Sequence, residues 1–241
     1  HRIVNNLTPK LRMTAVMGRK KAGTSIKEND YFVPFVVEPR KAPEERTYFA
    51  DDTIHILCIG KYEIRKHHLM LLQAVEGLLH YRLHLTLIGE ATNHFQEYCE
   101  QVRQFVAGHH MQDLVTVKTN VPRSEMEAEY LASDIYVIPS TREMASVSQL
   151  EAMSYSLPVI CSDLNGTACY VEDSVTGYLF RDCDEEDLAE KLDKMLSDRE
   201  RMKAMGAAGY RALAEKYNFG HYYDTVMEIL DRIENTKEKS R

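Results

Sequence analysis

The chain has 241 residues, enough for one large or two small domains, and its 44% hydrophobic and 28% charged residues are typical of a globular protein. Its net charge of −7 argues against broad nucleic-acid binding, and no apolar run approaches the roughly eighteen residues of a membrane-spanning helix. The five cysteines show no CxxC spacing and the ten histidines form no HExxH motif, so we expect a reducing, cytoplasmic compartment and no metal site.

The start of the chain differs in charge from the rest. Residues 1–30 carry a net charge of +5, which leaves −12 for the remainder. This segment is either solvated connecting chain or a surface that faces an anionic membrane or acceptor. Residues 18–30 are predicted as loop, and residues 31–37, which Pro34 interrupts, as an edge strand or extended tether. Residues 38–52 are predicted as an interdomain linker, so residues 1–52 would be the tail of a preceding lobe in a longer protein.

From residue 53 onward, short β-rich runs alternate with amphipathic helix patterns, which is typical of a parallel sheet. Ser124 is expected to cap one helix, with Glu127 at the capping-box position. We predict an α/β fold, a Rossmann-like parallel sheet with helices on both faces over residues 53–198, followed by C-terminal helices over 199–241. The predicted strands are 54–59, 83–88, 114–117, 135–138, 158–161 and 177–180, and the predicted helices are 67–79, 95–106, 124–132, 147–157, 184–196, 199–217 and 222–233.

One stretch, residues 139–160, organises the predicted site. It leaves a buried strand, passes through a loop and enters a helix that Pro158 ends. Ser146 or Ser148 is expected to cap the start of this helix. Its predicted apolar face consists of residues three apart, Val147, Leu150 and Met153.

Two carboxylates flank this loop and helix start. Glu143 lies in the loop, and Glu151 lies in the helix but off its apolar face. Open α/β sheets bind ligands at the carboxyl ends of their strands, and the free N–H groups of a helix start suit phosphate. The pattern therefore indicates an anion site between two acids, or else a solvated loop glutamate and a surface glutamate on a helix.

The wider context of these acids resembles a known family. Glu143 and Glu151 form an E-x7-E pattern, embedded among the segments ASDIYVIPS, LEAMSYSLPVI and DSVTGYLF. Residues 53–198 resemble the donor-binding lobe of retaining, metal-independent glycosyltransferases with two Rossmann-like lobes (GT-B), of the family-four, glycogen-synthase-like type. The resemblance implies sugar transfer, with retention of configuration and without a cofactor, from a nucleotide diphosphate sugar to a glycan, lipid or other acceptor. The first lobe, which would also make any peripheral contact with the inner face of a membrane, is mostly missing, so this lobe alone should turn over little.

The loop after the first strand carries the cations that this chemistry needs. Breaking the sugar–phosphate bond adds negative charge to the diphosphate, and without a metal the protein must offset that charge. By resemblance, Lys66 and Lys61 are catalytic, with Lys61 at a position where the family commonly has Arg. Gly60 and Arg65 would bind the donor, with Arg65 supplying part of the missing guanidinium. The alternative is a solvated basic loop.

The resemblance assigns the rest of the donor site as well. Glu151 would bind the ribose hydroxyls, since a carboxylate can accept two hydrogen bonds from a diol. Glu143 would contact the transferred sugar, and Val121 would contact the nucleobase or else simply end a strand. The diphosphate would be held by backbone N–H groups at the helix start, those of Ser146, Val147 and Ser148.

Several positions depart from the family pattern. His67 and Ser156 stand where the family usually has Gly, and Cys169 stands where many members have Glu. Residues 144–145, Met-Ala, replace a Pro-Phe or Gly-Phe pair beside the sugar. The resemblance therefore does not indicate which sugar is transferred. Two alternatives therefore stay open: a two-lobed nucleotide-sugar epimerase or phosphorylase, and a non-catalytic nucleotide-sugar-binding or regulatory subunit.

Overall fold

A computed structural model describes residues 10–12, 25–27, 30–143 and 146–238. Near its start, β1 (Lys10–Arg12), β2 (Ser25–Lys27) and β3 (Asp30–Phe32) form a small sheet in which β3 is central, parallel to β1 and antiparallel to β2. The prediction of loop throughout residues 18–30 is wrong at β2, where three residues are too few to show an alternating pattern. The strand predicted over residues 31–37 is confined to β3, because Pro34 has no N–H to continue a ladder.

The main sheet has six strands, all parallel: β4 (Ile54–Ile59), β5 (Leu83–Gly89), β6 (Val115–Thr119), β7 (Ile135–Ile138), β8 (Val159–Ser162) and β9 (Gly177–Phe180). Their spatial order is β6-β5-β4-β7-β8-β9. This is the doubly wound Rossmann-like order, so the predicted fold class is confirmed. The order reverses between β4 and β7, which places the loops after these two strands on either side of the switch point, where such sheets bind ligands.

The helices of the described chain are α1 (His68–Glu76), α2 (Gln96–Gly108), α3 (Met126–Leu131), α4 (Val147–Ser154), α5 (Glu185–Leu196), α6 (Arg199–Lys216) and α7 (Phe219–Glu238). None of them is long and apolar enough to cross a membrane. Several helix predictions need correction: α4 ends three residues before its predicted end, and α7 extends beyond the predicted 222–233 at both ends. Helix α1 ends three residues before its predicted end, so Leu79, predicted as its last residue, lies beyond the helix and is 58% exposed. Ser124 does not cap α3, because the chain there forms a 3-10 turn, Arg123–Glu125, before the helix begins.

Hydrophobic cores lie on both faces of the sheet. On one face, side chains of β4 and β5 pack against α1, α2 and α5. On the other face, residues of β7 and β8 pack against α3 and α4. The central strands β7 and β8 are buried at every position, which explains their continuous apolar sequence. Cys58 on β4 and Cys161 on β8 are buried in these two cores.

The segment predicted as a linker packs along the domain. The backbone N–H groups of Arg40 and Lys41 both donate to the carbonyl of Ser154 at the end of α4, at 3.0 and 2.9 Å. Arg46 is 8% exposed, and its guanidinium donates to three carbonyls at the C-terminal ends of α3 and α4, those of Tyr130, Ser133 and Tyr155. The division of the chain at residues 52 and 198 stays a prediction.

Candidate functional site

The loops on either side of the switch point are joined by both backbone and side chains. Thr141 N donates to the carbonyl of Arg65 at 2.9 Å. The Lys66 ammonium pairs with the Glu143 carboxylate, and Arg65 Nη1 lies 3.3 Å from Glu143 Oε2. The side chains of Lys66 and Glu143 are only 11% and 12% exposed. The structure therefore brings Glu143, Arg65 and Lys66 into one charged cluster.

Local backbone geometry brings Lys66 to this position. The chain turns through a 3-10 helix, Ile64–Lys66, and His67 then adopts a left-handed conformation, with φ of 53°, before α1 begins. A Cβ at Gly60 would lie 3.3 Å from Cδ of Lys66, so the glycine leaves room for the lysine stem. The left-handed residue also explains why the resembled family has Gly where this chain has His67.

Lys61 is not part of the cluster. Its ammonium lies 3.1 Å from Glu90 Oε2 and about 5.0 Å from the centre of the Phe95 ring, and its side chain is half exposed. Glu90, which immediately follows β5, was missed by sequence reasoning. Its position after a strand that ends in Gly89, at the ligand-binding edge of the sheet, was the available signal.

The start of α4 is held by hydroxyl groups. Ser146 is the N-cap residue, as predicted, but its side chain makes no capping hydrogen bond. Its Oγ instead lies 2.9 Å from Ser148 Oγ, which lies 2.7 Å from the hydroxyl of the fully buried Tyr136. Because the Ser146 side chain bonds elsewhere, it does not occupy the first N–H groups of the helix.

The predicted apolar face of α4 needs one correction. Leu150 and Met153 are fully buried, but Val147 is 43% exposed at the helix start. Gln149 is buried in its place, donating to the carbonyl of Thr167 at 3.0 Å and accepting from its hydroxyl at 2.6 Å. A glutamine that is satisfied in this way can occupy a core position, which an apolar periodicity does not reveal.

Glu151 lies on α4 beside a surface cavity of about 430 Å³. Its Oε2 accepts a hydrogen bond from the Tyr130 hydroxyl at 2.8 Å, and its Oε1 lies 3.3 Å from Nη2 of Arg123. The Glu151 side chain is 22% exposed. Val121 follows β6 and is partly buried against the core on this face of the sheet. Sequence reasoning missed Tyr130 and Arg123, because nothing in their own segment marks them as partners of Glu151.

The other departures from the family pattern have structural counterparts. Ser156 also adopts a left-handed conformation, with φ of 60°, and its Oγ donates to the carbonyl of Lys41 at 2.7 Å. Cys169 is largely buried, and burial raises the pKa of its thiol to about 12. Its Sγ lies 3.4 Å from the carbonyl of Gly166, whose N–H donates to the carbonyl of Glu143 at 2.7 Å. Residues 144–145 lie outside the described residues.

Among the residues that the structure describes, no group of three His, Cys, Asp or Glu side chains is placed to hold a metal ion. The expectation that donor binding needs no metal stays a prediction.

A Rossmann-like sheet with charged loops at its switch point places the chain among ligand-binding α/β proteins. The sequence model of the family described as Glycosyl transferases group 1 matches residues 40–212, and the chain belongs to this family. The match begins within the segment predicted as a linker and includes both loops and α4.

Relatives and solved structures agree with this family. The chain is similar to a D-inositol 3-phosphate glycosyltransferase from Geodermatophilus obscurus, with 27% identity over 199 residues that cover 80% of this chain and 43% of the relative. It therefore spans less than half the length of that relative. A glycosyltransferase structure from Rickettsia africae ESF-5 superposes with a TM-score of 0.74 at 18% identity, covering 86% of this chain and 58% of its own. The structure of Anabaena HepE in complex with UDP and glucose superposes with a TM-score of 0.71 at 16% identity, covering 85% of this chain and 57% of its own. At these identities the structures show a shared fold.

Proposed function

We propose that this chain is the donor-binding lobe of a retaining glycosyltransferase that transfers a sugar from a nucleotide diphosphate sugar to a glycan, lipid or other acceptor. The observation that carries the proposal is the cluster of Lys66, Arg65 and Glu143 at the switch point. It places two cations from the loop after β4 against a mostly buried carboxylate in the loop that leads into α4. An anionic ligand and a polyhydroxyl group next to it would find complementary partners there.

Lys66 and Arg65 are the proposed partners of the diphosphate, together with the N–H groups of residues 146–148. Without ligand, Lys66 is paired with Glu143, and Arg65 is paired with Glu63 at 2.6 Å and lies 3.3 Å from Glu143. A bound diphosphate would offer them more negative charge than one carboxylate does, and sugar transfer would increase that charge further. Cations that already point at the leaving group stabilise the transition state without reorganisation at the moment of reaction. The Glu143 carboxylate, once released, would be free to accept hydrogen bonds from the sugar.

Glu151 is the proposed partner of the ribose. It is less buried than Glu143 and lies on a helix rather than a loop, beside a cavity with both polar and apolar lining. Val121 remains the proposed contact of the nucleobase. The presence of UDP in the Anabaena HepE structure supports a nucleotide donor.

The proposal is tested by screening the full-length protein against UDP-, GDP- and ADP-sugars, with thermal shift followed by calorimetry. We expect one nucleotide series to stabilise the protein, and Lys66→Met to abolish that stabilisation. Lys203→Met is the matched control, since Lys203 also pairs with a glutamate, Glu200, but on the surface of α6. The absence of binding by all three series would overturn the proposal.

Donor binding should also be independent of metal, because Lys66 and Arg65 supply the positive charge. The affinity for the donor measured with and without EDTA should agree. A loss of more than about tenfold, near 1.4 kcal/mol, would show that a cation is required.

A non-catalytic nucleotide-sugar-binding subunit is the second candidate. The pairing of Lys61 with Glu90 favours it, because Lys61 occupies a catalytic position of the resembled family but points to another partner. Donor hydrolysis or transfer by the full-length protein would eliminate this candidate. Tight donor binding without any turnover would favour it over the enzyme.

A further inference from the structure

The hydroxyl of Tyr130 is the buried partner of Glu151. Tyr130 is 2% exposed, and its hydroxyl donates to Glu151 Oε2 at 2.8 Å. The other partner, Arg123, has a side chain that is 86% exposed, and ion pairs of exposed side chains contribute little. The orientation of the Glu151 carboxylate therefore depends mainly on the phenol.

Tyr130 is itself held in place. Its ring stacks on that of Tyr155, with centroids 5.1 Å apart and planes 10° apart. Its backbone carbonyl accepts a hydrogen bond from Arg46 at 3.2 Å, and its hydroxyl also lies 3.4 Å from the carbonyl of Ser148 on α4. A packed aromatic side chain has few torsions left to vary, whereas a glutamate has three. Because the fixed hydroxyl of Tyr130 donates to the Glu151 carboxylate, the hydrogen bond also limits the torsions of the Glu151 side chain.

The chemistry of the pair leaves Glu151 able to bind a diol. Burial raises the pKa of Tyr130, so the phenol stays protonated and acts as the donor. An ionised carboxylate has about four acceptor positions, of which the phenol uses one and Arg123 another. The remaining positions are available to a ligand in the cavity that Glu151 and Tyr130 both line.

We propose that Tyr130 is a positioning residue for Glu151, fixing the carboxylate so that it accepts hydrogen bonds from the two ribose hydroxyls of the donor. The proposal rests on the function proposed above, because it needs Glu151 to face the ribose. It adds a residue on α3, twenty-one positions before Glu151 in the chain, to the set that determines donor affinity.

Tyr130→Phe removes the hydroxyl and keeps the stacked ring. In the full-length protein, calorimetry with UDP, GDP and ADP should show the Kd of whichever diphosphate binds the wild type rise about three- to tenfold. The donor KM should rise with it and kcat should stay unchanged, because the ribose does not react. Tyr170→Phe is the matched control. Tyr170 is equally buried in the same core, but its hydroxyl accepts from Phe35 N at 2.8 Å, so the Kd should not change.

A double-mutant cycle and a crystal structure complete the test. In a Glu151→Ala background, Tyr130→Phe should cause no further loss of affinity, because the partner it positions is gone. In crystals of Tyr130→Phe, the Glu151 carboxylate should leave its wild-type position. A wild-type carboxylate position or a wild-type Kd in this variant would overturn the proposal. If the wild type bound none of the three diphosphates, the proposed function would fail, while the position of Glu151 in the crystals would still decide the role of Tyr130.

Discussion

The candidate site has two halves that are built on different principles. The loop half, residues 60–66 with Glu143 and Glu90, contains three cations and three carboxylates that pair with one another: Lys61, Arg65 and Lys66 with Glu63, Glu90 and Glu143. The helix half, residues 146–151, is held by neutral hydroxyl groups. Buried phenols of Tyr130 and Tyr136 bond to Glu151 and Ser148.

The difference suggests how each half would respond to a ligand. When a diphosphate binds to the loop half, the cations must release their carboxylate partners. Binding therefore replaces the ion pairs with carboxylates by ion pairs with the diphosphate. The helix half needs no such exchange, because its hydrogen bonds leave acceptor positions open on Glu151 and do not use the first N–H groups of α4. We therefore expect the loop half to govern the charge-dependent steps, diphosphate binding included, and the helix half to govern the part of the donor affinity that comes from the ribose. Four predictions test this division.

The largest expected effect separates the two acids. Glu143→Gln in the full-length enzyme should lower kcat on the order of tenfold or more, because Glu143 would face the sugar whose charge and shape change during transfer. Glu151→Gln should mainly raise the donor KM, because ribose contacts are equally present before and during transfer. Steady-state kinetics with varied donor measures both. The division fails if Glu143→Gln leaves kcat unchanged while Glu151→Gln abolishes it.

The sequence was sufficient for the fold, whereas the roles of these two acids stay a prediction. The strands β4 to β9 are rich in apolar and β-branched residues, and their alternation with helices left one reasonable architecture. Glu143 and Lys66 each follow the carboxyl end of a strand, where parallel sheets place ligands, and the resemblance to the family assigned them their roles. Their direct contact, between residues 77 positions apart, is consistent with strands β4 and β7 being neighbours.

The sequence could not give the partners of the site. Whether Lys61 contacts Glu90 or Glu143 depends on side-chain directions that no periodicity encodes. The sequence pattern shows Tyr130 only as a residue of a helix. Its hydrogen bond to Glu151 depends on α3 and α4 lying side by side. The misplaced cap at Ser124 and the exposed Val147 have a related cause. Helix ends are set by local turns and by the surrounding packing, which a 3.6-residue pattern does not report.

The second prediction concerns the stability of the protein at acidic pH, which we expect to depend on His68, a buried residue next to the loop half. His68, the first residue of α1, is fully buried against Tyr62, and burial, with a smaller effect of Lys66, lowers its pKa to about 3. The unfolded chain binds this proton below about pH 6.5, but the folded chain does not until near pH 3. The contribution of neutral, buried His68 to the free energy of unfolding is therefore fully present above pH 6.5. As the pH falls below this value, the free energy of unfolding decreases by up to about 1.4 kcal/mol per pH unit.

Urea unfolding of the wild type and His68→Phe between pH 7.5 and 4.5 measures this loss. As the pH falls, the wild type should lose more unfolding free energy than His68→Phe does, because the two proteins share all other titrating groups. The exposed His94→Phe serves as the control. Parallel pH curves for wild type and His68→Phe would show that His68 titrates normally in the folded protein.

The third prediction compares the left-handed residues that stand where the family has Gly, one at the end of each half. His67→Gly should stabilise the protein by up to about 1 kcal/mol, since a left-handed conformation strains a residue with a Cβ. Ser156→Gly should be nearly neutral, because it also removes the hydrogen bond to Lys41, worth about 1 kcal/mol. Ser156→Ala keeps the strain and loses the bond, so it should be the least stable. Any other order of the three melting temperatures contradicts this account.

The smallest expected effect concerns Glu90, which holds Lys61 away from the rest of the loop half. Glu90→Gln removes one negative charge and releases Lys61, so diphosphate affinity should rise about two- to fivefold at low ionic strength. The gain should shrink as salt is added, because both side chains are exposed and screened. Glu76→Gln, which removes an equally exposed carboxylate paired with His109 at the far end of α1, should change nothing. If Glu90→Gln instead weakened binding, Glu90 would be orienting Lys61 toward the ligand, and the pair would belong to the binding site rather than compete with it.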